Sequence, residues 1–427
     1  MRPRWLLPLV VAISASAACA ADVVPDDTTD DEIDDTTADE IDEESQVDDS
    51  DLGAGVDVGT LAAAPGCVAR GRLGGHDTWL HFTRPPAPCR PTATAGVDGH
   101  ILGELVRLID SVPAGGRIDG HIFNITVDSV AAALLRAQDR GVAVWLSTDR
   151  QVGRSTDSAK TQYLDRLAHK VYCGTSSTAS CVGSSADAIS HTKLFIFSTA
   201  TAPDGAVHAK VSWFGSANQT QASGMKTFNN TVTVYGDGPL YDRFRGYLDD
   251  LFGQRRRADY YDPDSGRGHI LAAAADIYIS PETGTDLVVN RLDDLTPDAD
   301  CRVRVMQASI RDSRMDVVSR IVAMKRGGCK VWVVASTVEP RALDALRGAG
   351  ISVRKHHVHD KVFVVRARFG GAEQLRVYTG SHNLSISANQ KYDEIFVKLA
   401  AENATTHPVY DAYFTHFNDA YNGGTTY

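Results

Sequence analysis

Two short stretches of this chain place a histidine and a lysine two residues apart, directly before a run of apolar residues. The pairs are His191 with Lys193, and His359 with Lys361. In extended backbone, residues two positions apart point to the same face. A lysine can neutralise an anionic oxygen while the neighbouring imidazole attacks or protonates, so each pair could act on a phosphate ester.

A second motif follows each His-x-Lys pair after one predicted hairpin. It reads Gly-Ser-Ala-Asn in the first copy and Gly-Ser-His-Asn in the second, and it ends at Asn218 and Asn383. The spacing from His191 to His359 is nearly the spacing from Asn218 to Asn383. Two matched blocks in one chain predict one active site that is built from two similar halves.

One further His-x-Lys pair does not fit this scheme. His208 and Lys210 lie too close to Asn218, on what should be the same strand or its entry. We interpret this pair as surface residues without a catalytic role.

The predicted elements around the motifs recur in the same order. A strand, a helix and a second strand precede each His-x-Lys strand, and two more strands and an amphipathic helix follow it. Strand–helix–strand patterns favour an α/β fold with parallel pairing. We therefore expect two similar fused α/β/α halves, each a mixed, mostly parallel sheet flanked by helices. The predicted segments are 117–124, 129–140, 142–147, 231–235 and 239–252 in the first copy, and 302–310, 315–326, 330–335, 375–380, 394–399 and 408–421 in the second.

Composition shifts along the chain predict its division into segments. We expect a signal peptide at 1–20, an acidic linker at 21–65, a first half at 66–253, an inter-half linker at 254–268 and a second half at 269–427.

Negative charge is concentrated in the acidic linker. The formal net charge is -11, but Asp22 to Asp51 holds 16 of the 54 acidic residues and no Lys or Arg. Such a run cannot bury a core and predicts a disordered tether. The rest of the folded body holds 41 basic and 38 acidic residues. This small excess gives little support for a basic track along a nucleic acid.

The first twenty residues have the pattern of an export signal. Two arginines precede an apolar run that is too short to span a bilayer, and residues 18–20 fit a cleavage site. The sequence leaves open whether Cys19 carries a lipid, because Ser16 stands where bacterial lipoprotein signals usually have Leu. We expect a secreted, periplasmic or cell-envelope protein.

Six further cysteines support export, because an even number in an exported protein predicts disulfides. Cys301 and Cys329 each open a predicted strand, which would place them side by side in a parallel sheet. Pairing of sequence neighbours gives the simplest set, Cys67–Cys89, Cys173–Cys181 and Cys301–Cys329.

Duplicated His-x-Lys strands, each with a later Gly-Ser-x-Asn, resemble the phospholipase D superfamily from about residue 95 to the end of the chain. The resemblance implies two fused phospholipase D-like halves with the active site at their interface. It also implies that no metal and no other cofactor is needed. The implied catalytic residues are His191, Lys193, Asn218, His359, Lys361 and Asn383, with Ser216 and Ser381 as supporting residues.

The resemblance also implies a division of labour. The lysines and asparagines would hold the non-bridging oxygens of a phosphodiester. One imidazole would attack phosphorus and form a phosphohistidine, and the other would protonate the leaving alcohol and then activate water.

This chain departs from the superfamily motif where an Asp usually follows His-x-Lys. Ser198 and Arg366 occupy that position in the two copies. The departure argues against close kinship with well-known phospholipases D.

A second departure concerns the acidic residue that orients a histidine, commonly across the two halves. Glu394, or Asp393 beside it, fits this role in the second half, whereas the first half has Phe228-Asn229-Asn230 there, with no acid. Crossed pairing would give Glu394 to His191 and Asn230 to His359. Because a carboxylate makes imidazole a better nucleophile, we expect His191 to be the nucleophile and His359 the general acid, with the reverse assignment open.

These residues predict a secreted phosphodiesterase that releases phospholipid headgroups at a membrane surface, by transfer to water or to another alcohol. A non-specific endonuclease and a degenerate, non-catalytic binding homologue are the alternatives. Since both halves lie in one chain, we expect a monomer that needs no protein partner to complete its site.

Overall fold

The computed structural model describes residues 64–262, 264, 266–402 and 405–427. The predicted signal peptide, Cys19 and almost all of the acidic linker lie outside the described residues. All elements below belong to the described part of the chain.

Within this part, the strands form one sheet of eight and one sheet of ten. The first sheet contains β1 (Val68–Leu73), β2 (His76–Thr83), β3 (Arg117–Ile122), β4 (Ala143–Thr148), β5 (His169–Tyr172), β6 (Lys193–Thr201), β7 (Val207–Gly215) and β8 (Asn229–Tyr235). The second contains β9 (His269–Leu271), β10 (Ala275–Ser280), β11 (Leu295–Thr296), β12 (Arg302–Ile310), β13 (Lys330–Val338), β14 (Ser352–Lys355), β15 (Lys361–Phe369), β16 (Ala372–Gly380), β17 (Glu394–Leu399) and β18 (Thr425–Thr426).

The two sheets repeat one topology. The first has the order β1-β2-β8-β7-β6-β3-β4-β5, and the second runs β9-β10-β17-β16-β15-β12-β13-β14 and ends with β18. Each strand of the first sheet therefore has a counterpart in the second. This arrangement confirms the predicted α/β architecture of two similar halves with mixed sheets.

The predicted preference for parallel pairing is wrong. Parallel pairing is found between β3, β4 and β5 and between β12, β13 and β14, whereas the other neighbours in both sheets are antiparallel. The strand–helix–strand units at the start of each half supplied the parallel signal. Hairpins form much of the rest of each sheet, and the tight turn of a hairpin makes its two strands antiparallel. Antiparallel pairs therefore outnumber parallel ones.

Helices cover the sheets on both faces. The α-helices are α1 (His100–Ser111), α2 (Asp128–Asp139), α3 (Arg150–Arg154), α4 (Gln221–Met225), α5 (Gly238–Phe252), α6 (Leu287–Asp293), α7 (Met315–Arg326), α8 (Pro340–Gly348), α9 (Ile386–Gln390) and α10 (Pro408–Gly423). A π-turn (Ala159–Tyr163) and two 3₁₀ turns (Leu164–Arg166 and Asp312–Arg314) complete the set.

Alternating side chains along each strand separate an outer core from an inner one. On β13, Val333 packs into the outer cluster with α7, while Val334 packs into a cluster that both halves share. The shared cluster includes Phe244 of α5 and Phe417 of α10. These two helices therefore join the inner faces of the sheets, and the site described below lies at that junction.

The sequence pattern does not predict two short strands. β5, which a π-turn and a 3₁₀ turn precede, and its counterpart β14 are not among the predicted segments. Both are four-residue strands with little apolar alternation. A parallel partner, β4 or β13, orders them, and that contact is not visible in local sequence.

All three predicted disulfides are present: Cys67–Cys89, Cys173–Cys181 and Cys301–Cys329. In the parallel register Arg302 faces Lys330. Cys301 and Cys329 directly precede these residues, so they lie side by side, as expected for cysteines that open neighbouring strands. The three bonds are compatible with an extracellular or periplasmic protein. No helix among the described residues has the length and apolar character to span a membrane.

The Cys301–Cys329 bond generates a stability prediction. It closes a separation of 28 residues, so replacing both cysteines by alanine should lower the free energy of unfolding by about 3.5 kcal/mol through the entropy gained by the unfolded chain. Urea unfolding of the double variant, followed by tryptophan fluorescence, measures the change. A midpoint equal to that of the oxidised wild type would contradict the prediction.

Candidate active site

The two His-x-Lys motifs lie at equivalent places in the two sheets. Lys193 is the first residue of β6 and Lys361 is the first residue of β15. Each Nζ donates to the backbone carbonyl of the histidine two residues earlier, at 2.7 Å for His191 and 2.8 Å for His359. All four side chains are buried. The same hydrogen bond therefore fixes each lysine beside its histidine.

The glycine that opens each Gly-Ser-x-Asn motif is required by close backbone packing. A Cβ on Gly215 would lie 2.2 Å from the carbonyl oxygen of Asn230, and one on Gly380 would lie 2.2 Å from that of Ile395. Gly380 also has a φ of 125°, which L side chains rarely adopt. Both glycines let the end of one strand approach the next strand.

Ser216 and Ser381 secure the same junctions. The Oγ of Ser216 accepts from the backbone amide of Asn230 (3.1 Å), and the Oγ of Ser381 accepts from that of Ile395 (3.0 Å). Ser216 also donates to Oδ1 of Asn229 at 2.9 Å. Both serines thus hold the strand that carries a histidine partner.

Each histidine is oriented by a side chain from the other half. Nδ1 of His191 lies 2.7 Å from Oε1 of Glu394, as the crossed scheme predicts. Nδ1 of His359 lies 3.1 Å from Oδ1 of Asn229. Because an amide oxygen can only accept, the proton of this second contact is on Nδ1.

The expected partner of His359, Asn230, is one residue off. Asn230 instead binds the carboxylate of Asp360 through Nδ2, and its Oδ1 accepts from Thr379 and Tyr413, both at 2.7 Å. Side chains alternate along β8, so Asn229 and Asn230 point to opposite faces, and only one can reach His359.

The sequence contains a signal for the correct residue. Asn229 and Glu394 each follow the glycine of their Gly-Ser-x-Asn motif, Gly215 or Gly380, by fourteen residues. If Asn230 is matched to Glu394, the equal spacing from the two glycines is overlooked. Counting from the motif would have assigned Asn229.

Backbone hydrogen bonds between the halves flank both histidines and are equivalent in the two copies. Asp393 and Phe228 occupy the same position, directly before β17 and β8. The four bonds run from His191 N to Asp393 O (3.0 Å), Asp393 N to Ile189 O (3.0 Å), His359 N to Phe228 O (2.8 Å) and Phe228 N to His357 O (3.0 Å).

Asp393 does not contact His191 with its side chain. Its buried carboxylate accepts from the hydroxyls of Ser180 and Ser190, both at 2.5 Å, and from the backbone amides of residues 181–183. Burial raises the pKa of Asp393, and these hydrogen bonds oppose the rise. Asp393 therefore anchors a first-half loop next to Glu394, a supporting position.

The residue between His and Lys differs between the copies. Asp360 contacts Nε2 of His416 on α10 at 2.9 Å, whereas the equivalent Thr192 contacts the hydroxyl of Tyr247 on α5 at 3.0 Å. Sequence reasoning missed all of these contacts, because the partner helices lie more than fifty residues away in the chain. They fix each His-x-Lys motif to the helix behind it.

One cavity of about 300 Å³ brings the two motifs together. His191, His359 and Asn383 line it. Asn218 lies behind the wall and donates from Nδ2 to Oγ of Ser223 (3.1 Å), and Ser223 lines the cavity. The arrangement offers two imidazoles and the amide of Asn383 around one space, and Lys193 and Lys361 lie beside the histidines without lining the cavity.

The cavity is asymmetric. The ring of Phe123 meets His191 edge-on, with centroids 5.0 Å apart, and Nζ of Lys193 lies 5.2 Å from the same ring. Register places Ala308 at the corresponding position beside His359. The cavity accordingly extends along the second half, where Ala308 leaves room.

Burial lowers the pKa of His191 well below its usual value, and the positive charges of Lys193 and Lys361 and the neighbouring His359 act in the same direction. These effects favour the neutral imidazole, which has a lone pair to donate.

One other sequence interpretation can be placed. Lys210 pairs with Asp242 at 2.7 Å near the far end of β7, in agreement with a surface role for this His-x-Lys pair. His357 also lines the cavity, and its side chain is exposed. In the linker between the halves, Arg257 N donates to Val182 O at 2.7 Å, which fixes this part of the linker to the first half.

A known family of proteins is similar to this chain. A family model described as "Cardiolipin synthase, PLD-like domain" matches residues 105–252 and 296–418, more than half of the chain. No curated protein matches the sequence.

Several solved structures are similar. Phosphatidylserine synthase from Haemophilus influenzae Rd KW20 has 9% identity and a TM-score of 0.49, and covers 77% of this chain and 85% of its own. Polyphosphate kinase from Porphyromonas gingivalis has 10% identity and a TM-score of 0.48, with 77% and 45% covered. Nuc from Salmonella typhimurium, a phospholipase D family member, has 23% identity and a TM-score of 0.29, with 36% and 97% covered. On the strength of the family model, which spans both His-x-Lys motifs, this chain belongs to the phospholipase D-like family.

Proposed function

We propose that this protein is a phospholipase D-type phosphodiesterase that acts through a phosphohistidine on His191. The observation that carries the proposal is the crossed orientation of two histidines in one cavity. Glu394 holds His191 and Asn229 holds His359, each through Nδ1. Nδ1 being engaged in both, Nε2 is the nitrogen that would act on the substrate.

In the first step, Nε2 of His191 attacks phosphorus and the bond to the leaving alcohol breaks. His359 donates its proton to the leaving oxygen. In the second step, His359 takes a proton from water, the water oxygen attacks phosphorus, and the P–N bond breaks with its electrons returning to His191.

The remaining polar groups would stabilise charge. Lys193 and Lys361 carry the positive charges that neutralise the non-bridging oxygens, and Asn383 offers an amide donor at the wall of the cavity. Asn218 would act through Ser223. Asp393, Asn230, Ser216 and Ser381 are supporting residues, because their hydrogen bonds hold the strands and loops that carry the acting groups.

The walls favour a phospholipid as the substrate. Apolar side chains such as Ile189, Ala222 and Val358 line the cavity together with the polar groups. Phe123 and Ile189 also line a second cavity of about 410 Å³, into which Arg150 and Arg154 face. This adjoining space could accommodate a polar headgroup. Asp149 contributes to the wall, but its carboxylate accepts from the backbone amides of Gln151 and Ser190.

His191→Ala and His359→Ala should each lower activity about a thousandfold or more, because each removes a group that must make or break a bond. His208→Ala is the matched control and should retain wild-type activity. Choline release from phosphatidylcholine vesicles, run beside plasmid nicking, provides the measurement.

The two assays separate the alternatives. Release without nicking supports the proposed lipid substrate, and nicking without release indicates a nuclease. Wild-type rates in either of the first two variants would contradict the site assignment.

The roles of the two histidines can be tested with bis(p-nitrophenyl) phosphate, whose leaving group needs no general acid. His359→Ala should form the phosphoenzyme and release one nitrophenolate per chain, but hydrolyse the intermediate slowly because the base is missing. His191→Ala should give no burst. Mass spectrometry of the quenched protein locates the modified residue, and a burst only in His191→Ala would reverse the assignment.

The lowered pKa of His191 predicts the pH profile. Protonation inactivates a nucleophile, and here it occurs only below the usual value of about 6.5. We therefore expect kcat/KM to stay high as the pH falls through 6.5 and to decline only at more acidic values. An acid limb centred at or above pH 6.5 in wild type would contradict this expectation.

A further inference from the structure

A third cavity, of about 420 Å³, lies at the other end of the second sheet and contains three arginines. Arg302 of β12 faces Arg366 of β15 directly, and Arg304 follows two residues later on the same face. The catalytic cavity contacts β12 near Ala308, about 20 Å further along the strand. The two cavities are therefore separate.

In the first half, the equivalent positions carry no net charge. Matching the register of β3 and β6 with that of β12 and β15 aligns Arg117, Asp119 and Ser198 with the three arginines. Nε of Arg117 donates to both oxygens of Asp119 (3.0 and 2.8 Å), and Ser198 Oγ accepts from Arg117 N (2.8 Å). One copy of the fold thus has an ion pair where the other has three positive charges.

Arg304 is the centre of the cluster. Its guanidinium lies 4.9 Å from the ring centroid of Trp332 and 4.4 Å from that of Phe414. Burial, and to a smaller extent the charge of Arg302, lower the pKa of Arg304. Two aromatic faces hold a guanidinium in a fixed plane and leave its N–H edge for a hydrogen-bond acceptor.

Of the carboxylates that line the cavity, one pairs with an arginine of the cluster and two are engaged outside it. Glu373 pairs with Arg366 at 3.1 Å, with half of each side chain exposed. Glu402 accepts from the first backbone amides of α10 at 3.0 and 2.8 Å, and Asp411 pairs with His407 at 2.9 Å.

Arg302 and Arg304 themselves have no ion pair within the described residues. Nη1 of Arg302 donates to the carbonyls of Ala299 and Cys301 at 2.8 and 2.9 Å. Like charges that face each other across a sheet destabilise it, and partly buried arginines without a counter-ion add to this cost. An anion between them would remove both penalties.

We propose that this cavity binds a phosphate group between Arg302, Arg304 and Arg366, as a site distinct from the catalytic one. Planar guanidinium groups match the geometry of phosphate oxygens, and the hydroxyl of Tyr410, which lines the cavity beside Arg304, can donate as well. The phosphate belongs either to an anionic lipid headgroup or to a soluble phosphate compound. The site does not depend on the proposed catalytic function.

The test uses the residue that the first half has at the central position. Arg304→Asp should restore a pair with Arg302 like that of Arg117 with Asp119, so the variant should fold and melt at or above the wild-type temperature in phosphate-free buffer. Calorimetric titration with inorganic phosphate should show one site fewer per chain than wild type. Arg347→Asp, with the same change of charge on an exposed turn of α8, should keep the wild-type number of sites.

A second variant covers the case in which Arg304→Asp does not fold. Arg366→Ser also installs the first-half residue, at an exposed position, and should weaken phosphate binding at this site about tenfold. Equal stoichiometry and affinity in wild type, Arg304→Asp and Arg366→Ser would overturn the proposal. His359→Ala should lower catalysis without changing phosphate binding at the arginine cavity, so a failure of one proposal can be distinguished from a failure of the other.

Vesicles identify the source of the phosphate. Wild type and Arg304→Asp are co-sedimented with phosphatidylcholine vesicles that contain or lack phosphatidylglycerol. Binding that requires the anionic lipid and is lost in Arg304→Asp supports a headgroup as the ligand. A loss of inorganic phosphate binding without any difference on vesicles supports a soluble phosphate compound.

Discussion

Reciprocal backbone hydrogen bonds between the two halves are the constraint on which the site depends. Asp393 pairs with the segment that leads into His191, and Phe228 pairs with the segment that leads into His359. These bonds fix which residue of the following strand can reach each imidazole. The residue that directly follows is Glu394 after Asp393 and Asn229 after Phe228. Neither half could orient its own histidine, so the site exists only when the halves are packed together.

Duplication has kept the backbone and changed the side chains. Both copies retain the lysine-to-carbonyl hydrogen bond, the close-packed glycine and the serine that follows it. The histidine partners, the residue between His and Lys, and the far end of the sheet have diverged. Features that set the position of the motif histidines and lysines are therefore shared, while features that set charge differ. Such a division allows one scaffold to give two identical amino acids different chemical environments.

Local sequence was sufficient for the motifs, the repeat and the disulfides, because each depends on spacing or on residue type. Arg302–Ile310 and Met315–Arg326 were predicted with their observed boundaries, since strong apolar periodicity marks them. Contacts between distant segments could not be predicted in this way. Whether β6 pairs with its neighbours in parallel depends on hairpin turns, and Asp360 reaches His416 only because α10 folds back over the sheet. The one-residue error at Asn230 has the same origin: a strand face is decided by register, and register is a tertiary property.

The unequal filling of the cavity between the two histidines would have a stereochemical consequence for a bound diester. A phosphodiester carries two non-bridging oxygens that are equivalent in solution, and a site with exact twofold symmetry would accept it in either of two orientations. Phe123 narrows the side of His191, while Ala308 opens the side of His359. A bound diester of the proposed kind would then present its pro-R oxygen to one lysine and its pro-S oxygen to the other. The difference between the two halves would thereby select one of the two orientations of a prochiral phosphorus.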